Sequence, residues 1–299
     1  MPELPEVETI RRHLAPSVEG RTLEHLDVLD PRFSMPLAPE QLSAALNGRV
    51  VERLARRGKY LIFELSDEAH LFLHLRMTGT LLIDPEPRRP AHARVVFDLG
   101  DHELVFVDPR RFGTGELALG DAARDAFLDA RLGLEPFDEA FTTDHLRRLA
   151  KASRAPVKAF LLDQKKLAGV GNIYADEALY RARIHPLRIT NTLRRPQLDA
   201  LRSGVLEALE AGIAAKGASI DDFRDPYGVQ GSFQDQFLVH LREGEPCGRC
   251  GTTVVKLRAA GRGTYVCPRC QPVPRRRRPQ AAAARPASAP ARSARTSSW

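Results

Sequence analysis

The periodicity of the chain changes once, near residue 120, and that change decides what it can fold into. Up to residue 119 the apolar residues come in short alternating or continuous runs. Examples are Tyr60-Leu61-Ile62-Phe63-Glu64-Leu65, Leu71-Phe72-Leu73-His74-Leu75, Arg94-Val95-Val96-Phe97-Asp98 and Glu103-Leu104-Val105-Phe106-Val107, separated by polar or Gly/Pro turns. Runs of this kind predict the strands of an antiparallel sandwich or barrel. Beyond residue 121 the spacing is helical, over roughly 121–131, 142–152, 156–166, 172–182 and 196–216. Strands and helices are therefore segregated, which argues against a parallel nucleotide-binding sheet and points to the α+β class. One helix precedes the strands: Val7, Ile10, Leu14 and Val18 recur at three- and four-residue steps from near Pro5, and Gly20 ends it. The expected division is 1–120, 121–240, a cysteine module at 241–271 and a tail at 272–299.

All four cysteines lie in that small module, as Cys247-Gly248-Arg249-Cys250 and, sixteen residues later, Cys267-Pro268-Arg269-Cys270. Two close pairs separated by a hairpin's length of chain supply four thiolates for one tetrahedral Zn²⁺. With every coordination position taken by sulfur, the metal is structural. The competing reading is two disulfides. It is disfavoured because no apolar run approaches the ~20 residues that span a bilayer. Met1-Pro2-Glu3-Leu4-Pro5-Glu6 also lacks the basic and apolar regions of a secretory signal. A reducing cytosol, with no membrane association, is the expectation.

Charge is informative only locally. The chain carries 45 Lys and Arg against 38 Asp and Glu, but seven of the Arg and none of the acids lie beyond residue 270. The body is thus neutral, and the Arg/Ala/Pro-rich tail, with Trp299 at its end, is too poor in apolar residues to order itself. Basic side chains concentrate at two places. Residues 240–270 hold six against two acids, and residues 151–188 hold eight against three. Inside the second cluster, Leu167-Ala168-Gly169-Val170-Gly171-Asn172 joins two helices. Asn172 is a suitable N-cap, two glycines permit close backbone approach, and a helix N-terminus attracts an anion such as a phosphate. The plainer alternative is a helical hairpin with a solvated basic face. Paired with a second basic module carrying zinc, the pattern favours nucleic acid.

Taken together, these blocks resemble the formamidopyrimidine-DNA glycosylases, bacterial enzymes that excise oxidised purines. The resemblance rests on Pro2-Glu3-Leu4-Pro5-Glu6-Val7-Glu8-Thr9, Gly58-Lys59-Tyr60-Leu61, His74-Leu75-Arg76-Met77-Thr78-Gly79 and Asp108-Pro109-Arg110-Arg111-Phe112-Gly113. It continues through Gly169-Val170-Gly171-Asn172-Ile173-Tyr174-Ala175-Asp176-Glu177, Gly261-Arg262-Gly263-Thr264 and the cysteines, covering about residues 2–271. It implies an N-terminal helix with a β-sandwich, then a helix-two-turn-helix domain and a zinc-ribbon hairpin. It also implies a monomer without obligate protein partner, acting in the bacterial cytosol on double-stranded DNA that contains oxidised bases or abasic sites.

The roles that follow are those of the family, weighed against each side chain. Pro2, freed of Met1, is the nucleophile; free α-amino groups have pKa values near ~8, so a substantial neutral fraction exists at physiological pH. Glu3 is the proton donor for sugar-ring opening, and Glu6 and Thr78 lie at the base pocket. Lys59 contacts phosphate and acts as general acid in β-elimination. Arg262 assists δ-elimination, and because a guanidinium is a poor proton donor we assign it charge stabilisation. His92, Arg110, Arg154, Lys158 and Asn172 are backbone contacts. Met77, Arg110 and Phe112 fill the hole left by an extruded nucleotide; Met77 and Phe112, each near a glycine-bearing turn, are expected at exposed loop tips. The aperiodic segment 217–238 corresponds to the loop covering the lesion. The chain departs from the family at Val239-His240-Leu241-Arg242-Glu243, which lacks an aromatic–glycine pair, and at Val266. Two rivals are an enzyme of the endonuclease VIII type, preferring oxidised pyrimidines, and a non-catalytic zinc-ribbon binder of damaged DNA. Leu4 argues against the first, whose usual residue there is glycine; Pro2, Glu3 and Lys59 argue against the second.

Overall fold

The computed structural model describes residues 1–220 and 223–274. Helix α1 (Leu4–Val18) opens with Pro5 in its first turn, where a missing N–H costs nothing. The Glu6 carboxylate closes that turn by accepting the Glu3 N–H at 2.8 Å. The apolar stripe Val7, Ile10, Leu14 and Val18 is buried in the core of the β-lobe, whereas Leu4 is buried in the core of the helical lobe. One helix therefore ties both lobes together.

The β-lobe is a sandwich of two antiparallel sheets. The first has five strands in the order β1 (Thr22–Leu23), β3 (Arg49–Arg57), β4 (Tyr60–Leu65), β5 (Ala69–His74) and β9 (Thr114–Leu119). The second has four, in the order β2 (His25–Val28), β7 (Ala93–Asp98), β8 (Glu103–Val107) and β6 (Thr80–Ile83). Phe63 and Phe97 stack between the sheets with centroids 5.3 Å apart. Strand β5 is apolar without alternation because both its faces are covered. Phe72 points away from the sandwich and stacks at 4.0 Å on Phe127 of α3 (Asp121–Arg131). Helix α3 thus packs with the first lobe, although its periodicity belongs to the helical half of the sequence.

The expectation of strands alone between 22 and 119 misses α2 (Pro39–Leu46). Only Leu42 and Leu46 of that helix are buried, too few to print a stripe. Its start was marked instead by Pro39 and by Gln41, whose side chain accepts the Ala38 N–H.

The helical lobe comprises α4 (Thr143–Lys151), α5 (Val157–Leu162), α6 (Asn172–Arg181) and α7 (Arg195–Ala214). Helix α5 stops four residues short of the expected 166, the intervening chain forming turns anchored on Asp163. The cysteine module is a hairpin of β10 (Val255–Ala259) and β11 (Arg262–Val266), packed against α6 through Tyr180, Val239 and Tyr265. The tail from residue 275, including Trp299, lies outside the described residues. Among those described, no helix is long and apolar enough to cross a membrane.

A buried ion network braces the junction of the lobes. Arg56 on β3 donates to Glu8 of α1 at 3.0 Å and to Glu135, on the way into the helical lobe, at 2.9 Å. Burial alone would raise the Glu8 carboxyl, but Arg11, Arg12 and Arg56 hold it down at about 2. A depressed carboxylate contributes stability above its unfolded pKa of ~4.3 and loses that contribution as pH falls through the folded value. Between about pH 4.5 and 2 the urea midpoint of the wild type is expected to fall more steeply than that of Glu8→Gln. Parallel titrations of the two proteins check this.

Candidate active site

The glycine turn before α6 does not stand open for an external phosphate; it receives the chain's own N-terminus. Gly169, at φ +89°, accepts the Leu4 N–H through its carbonyl at 3.1 Å. A Cβ at Gly171 would lie 2.3 Å from the Glu3 carboxyl carbon, so only glycine admits that side chain. Glu3 Oε1 accepts the Ile173 N–H at 3.0 Å, placing a carboxylate where the helix N-terminus favours negative charge. Its Oε2 is buried with no partner among the described residues. Gly171, not Asn172, is the cap; Asn172 is the first helical residue and donates to the Gly263 carbonyl at 3.2 Å.

Glu6 is buried and fully occupied. Its Oε1 accepts the Tyr174 hydroxyl at 2.7 Å and the Ala218 N–H at 2.8 Å, and its Oε2 accepts Glu3 N–H. Burial, and then the neighbouring Glu3, raise its pKa. Such a group positions the segments around it rather than shuttling protons. Lys59 is buried and makes no hydrogen bond among the described residues. Burial pushes its amine below the usual lysine range, Arg262 adds to that, and Glu3 opposes it.

A cavity of about 240 Å³ is lined by Pro2, Glu3, Glu6, Met77, Thr78, Arg110, Asn172 and Arg262, whereas Lys59 lines a separate cleft with His74, Arg76 and Gln164. Met77 and Phe112 are 37% and 51% exposed, as expected of loop tips, and the Arg110 guanidinium lies 4.8 Å from the Phe112 ring centre. The sequence did not reveal what holds these tips. Asp108 is fully buried and accepts the Thr78 hydroxyl at 2.5 Å together with the N–H groups of Arg110, Phe112 and Gly113. Both loops are thus built around one carboxylate, and the Thr78 proton is committed to it. The only hint was an Asp-Pro pair closing a strand.

Three expected backbone contacts are not part of the cavity wall. His92 and Arg154 stand exposed on the surface, His92 at φ +67°. Lys158 is corrected: it is completely buried, its amine 2.6 Å from Asp176 and 2.7 Å from the Thr264 hydroxyl. A charge so paired and enclosed cannot also face a phosphate, and its contact with Gly263 at 3.3 Å makes it a support for the hairpin that carries Arg262. His240, at the departure from the family pattern, adds to the same support through Asp176 at 2.9 Å.

The four cysteine sulfurs lie within 4.8 Å of one another, with separations of 3.5 to 4.0 Å for Cys250–Cys267, Cys250–Cys270 and Cys247–Cys270. Tetrahedral Zn–S bonds of ~2.3 Å require sulfurs about 3.8 Å apart, so the donor set fits one structural Zn²⁺.

Family models match in chain order: the formamidopyrimidine-DNA glycosylase N-terminal domain over residues 1–115, its H2TH domain over 132–224, and a zinc finger found in FPG and IleRS over 244–273. The formamidopyrimidine-DNA glycosylase of Chloroflexus aurantiacus is 44% identical over 91% of this chain and 98% of its own. That of Carboxydothermus hydrogenoformans is 41% identical, over 91% and 100%. The chain belongs to the formamidopyrimidine-DNA glycosylase family. A solved complex of Lactococcus lactis Fpg with DNA containing an abasic site superposes with a TM-score of 0.84 at 38% identity, covering 91% of this chain and all of that one. A variant of the same protein, with DNA containing Fapy-dG, gives 0.85 at 37%, with the same coverage. As a formamidopyrimidine-DNA glycosylase, the protein is a bifunctional glycosylase and AP lyase of base-excision repair, acting on oxidised purines and abasic sites.

Gly171→Ala forces Glu3 out of its seat. Lesion-strand nicking should fall by about 10²-fold, the scale of an ångström's misplacement, while the thermal midpoint moves little by comparison. Single-turnover kinetics beside calorimetry test it. Chelating the zinc should release the hairpin and Arg262 with it, abolishing duplex binding in a gel-shift assay while the β-lobe keeps its near-ultraviolet signal.

Proposed function

We propose that this glycosylase works through the imino nitrogen of Pro2, exposed once Met1 is removed, with Glu3 as its proton partner. The observation that carries this reading is the seating of Glu3: one oxygen held by the α6 N-terminus, the other buried without a partner among the described residues, on a cavity wall shared with Pro2. The Pro2 nitrogen attacks C1′ of the lesion nucleotide, the C1′–N bond breaks, and the base leaves with its electron pair. The free Glu3 oxygen takes the proton that the Pro2 nitrogen loses after attack and delivers it to O4′, so the C1′–O4′ bond breaks, the sugar opens and an iminium is left between Pro2 and C1′. Loss of a C2′ proton then expels the 3′ phosphate, and a second elimination expels the 5′ phosphate. The lowered pKa of Lys59 suits proton transfer at these steps. Arg262, always charged, stabilises the departing phosphate. The zinc has no step in this sequence.

The substrate is duplex DNA, gripped by Arg110, Asn172 and Arg262 in the cleft and by His92 and Arg154 farther out. Met77, Arg110 and Phe112 enter the stack as the nucleotide leaves it. Oxidised purines are the preferred bases. Leu4 supports this against the pyrimidine-specific branch, since its side chain fills the helical core beneath Gly169. The enzyme acts as a monomer in the bacterial cytosol, at the nucleoid.

Borohydride reduction during turnover should freeze the iminium as a stable protein–DNA adduct, with the added mass on the N-terminal peptide beginning at Pro2. Chains that retain Met1 or carry an acetylated terminus should give none. An undiminished adduct from the blocked protein would overturn the assignment.

A further inference from the structure

The segment that roofs the cavity is tied down at a point remote from the reacting carbon. Ala218, Ile220 and Phe223 line the cavity, and Phe223 also packs on the sandwich core. Just after them, Asp225 organises a closed turn. Its Oδ1 accepts the N–H groups of Tyr227 at 3.0 Å and Val229 at 2.8 Å, and its own N–H donates to the Val229 carbonyl at 2.8 Å. This turn docks along the free edge of β6, where Ile83 N–H meets the Pro226 carbonyl and the Thr80 hydroxyl meets the Arg224 carbonyl, both at 3.2 Å. The remaining carboxylate oxygen, Oδ2, lies 2.9 Å from Nδ1 of His13 on α1, a close N···O contact whose alignment is not that of a hydrogen bond, and the Asp225 side chain is only 6% exposed. The His13 ring also lies 6.2 Å from that of Tyr227. Nothing in the reaction requires His13, which sits three turns along α1 from Pro2.

We propose that the His13–Asp225 pair is the positioning anchor of base recognition: it fixes the roof over the extruded base and leaves strand cleavage to the groups below. The inference rests on the proposed function, since it takes the cavity as the seat of that base. A buried carboxylate that folds a turn with one oxygen cannot leave the other unpaired without cost. Removing the imidazole therefore loosens the turn, and the cavity wall connected to it. An abasic site offers no base for the roof to hold, so its cleavage is insensitive to the loosening.

The test compares wild type, His13→Ala and His13→Gln on two duplexes, one with 8-oxoguanine opposite cytosine and one with a preformed abasic site. For His13→Ala, kcat/KM on 8-oxoguanine should fall about tenfold, as for a lost buried polar contact, with abasic cleavage within about twofold of wild type. His13→Gln, whose amide can still donate to Asp225, should recover most of the loss. An equal fall on both duplexes, no fall on either, or failure of glutamine to rescue would each overturn the proposal. If the proposed function itself were wrong, the wild type would already fail on both duplexes, which separates that outcome from these.

Discussion

The structure turns on one insertion: the first residues of the chain plug the N-terminus of a helix that belongs to the other lobe. Glu3 accepts from Ile173, Leu4 bonds Gly169 and fills the core beneath it, and Glu6 takes the Tyr174 hydroxyl and the Ala218 N–H. Three residues within about one turn thus make the terminus part of two cores at once. A free N-terminus is ordinarily the most mobile part of a domain, because nothing compensates the entropy of ordering it. Here burial of Leu4, the Ile173 bond to Glu3 and the fully occupied Glu6 carboxylate do so, and the terminus acquires a fixed geometry.

The insertion also explains the electrostatics. Two carboxylates so close together would repel if both were charged and dry. The helix end gives the Glu3 carboxylate a donor, while complete burial and the neighbouring Glu3 drive Glu6 toward its neutral form against the three donors it accepts from. Lys59 and Arg262 approach the same point from the β-lobe and the hairpin. Burial and Arg262 lower the Lys59 amine while Glu3 supports its charge. A cleft between two lobes can hold such a set because its members arrive from three elements: the glutamates from the start of α1, Lys59 from the turn before β4, and Arg262 from the hairpin.

How much of this was legible in the sequence differs by residue. The strands, the long helices and the cysteine hairpin are printed in periodicity and spacing, and they stand where that pattern places them. Met77 and Phe112 could be assigned to exposed tips because each stands near a glycine. Other features were illegible for physical reasons. Gly169 and Gly171 announce a close approach but not by whom, since the partner is more than 160 residues away. Lys158 reads as a surface cation because its partners, Asp176 and Thr264, lie 18 and 106 positions distant. Asp108 carries no periodic signal at all: its role is four hydrogen bonds, one from Thr78 and three from its own loop, in segments without regular structure.

Helix α6 finally shows why the zinc hairpin belongs in a mechanism that never touches the metal. The N-terminus of the helix seats Glu3, and one turn along its side Asp176 gathers Lys158, His240 and the Tyr265 N–H. Its neighbour Glu177 accepts three successive N–H groups, from Leu238, Val239 and His240, where the chain leaves the lesion segment and enters the zinc module. A hairpin of five-residue strands has too little core to stand alone, so it is held by the cysteine cluster at one end and by these buried carboxylates along its flank. Arg262 lies at the turn beyond both supports, across the cleft from Glu3. Because the same ten-residue helix orients Glu3 and the hairpin, the spacing between the Glu3 carboxylate and the Arg262 guanidinium is set through one element.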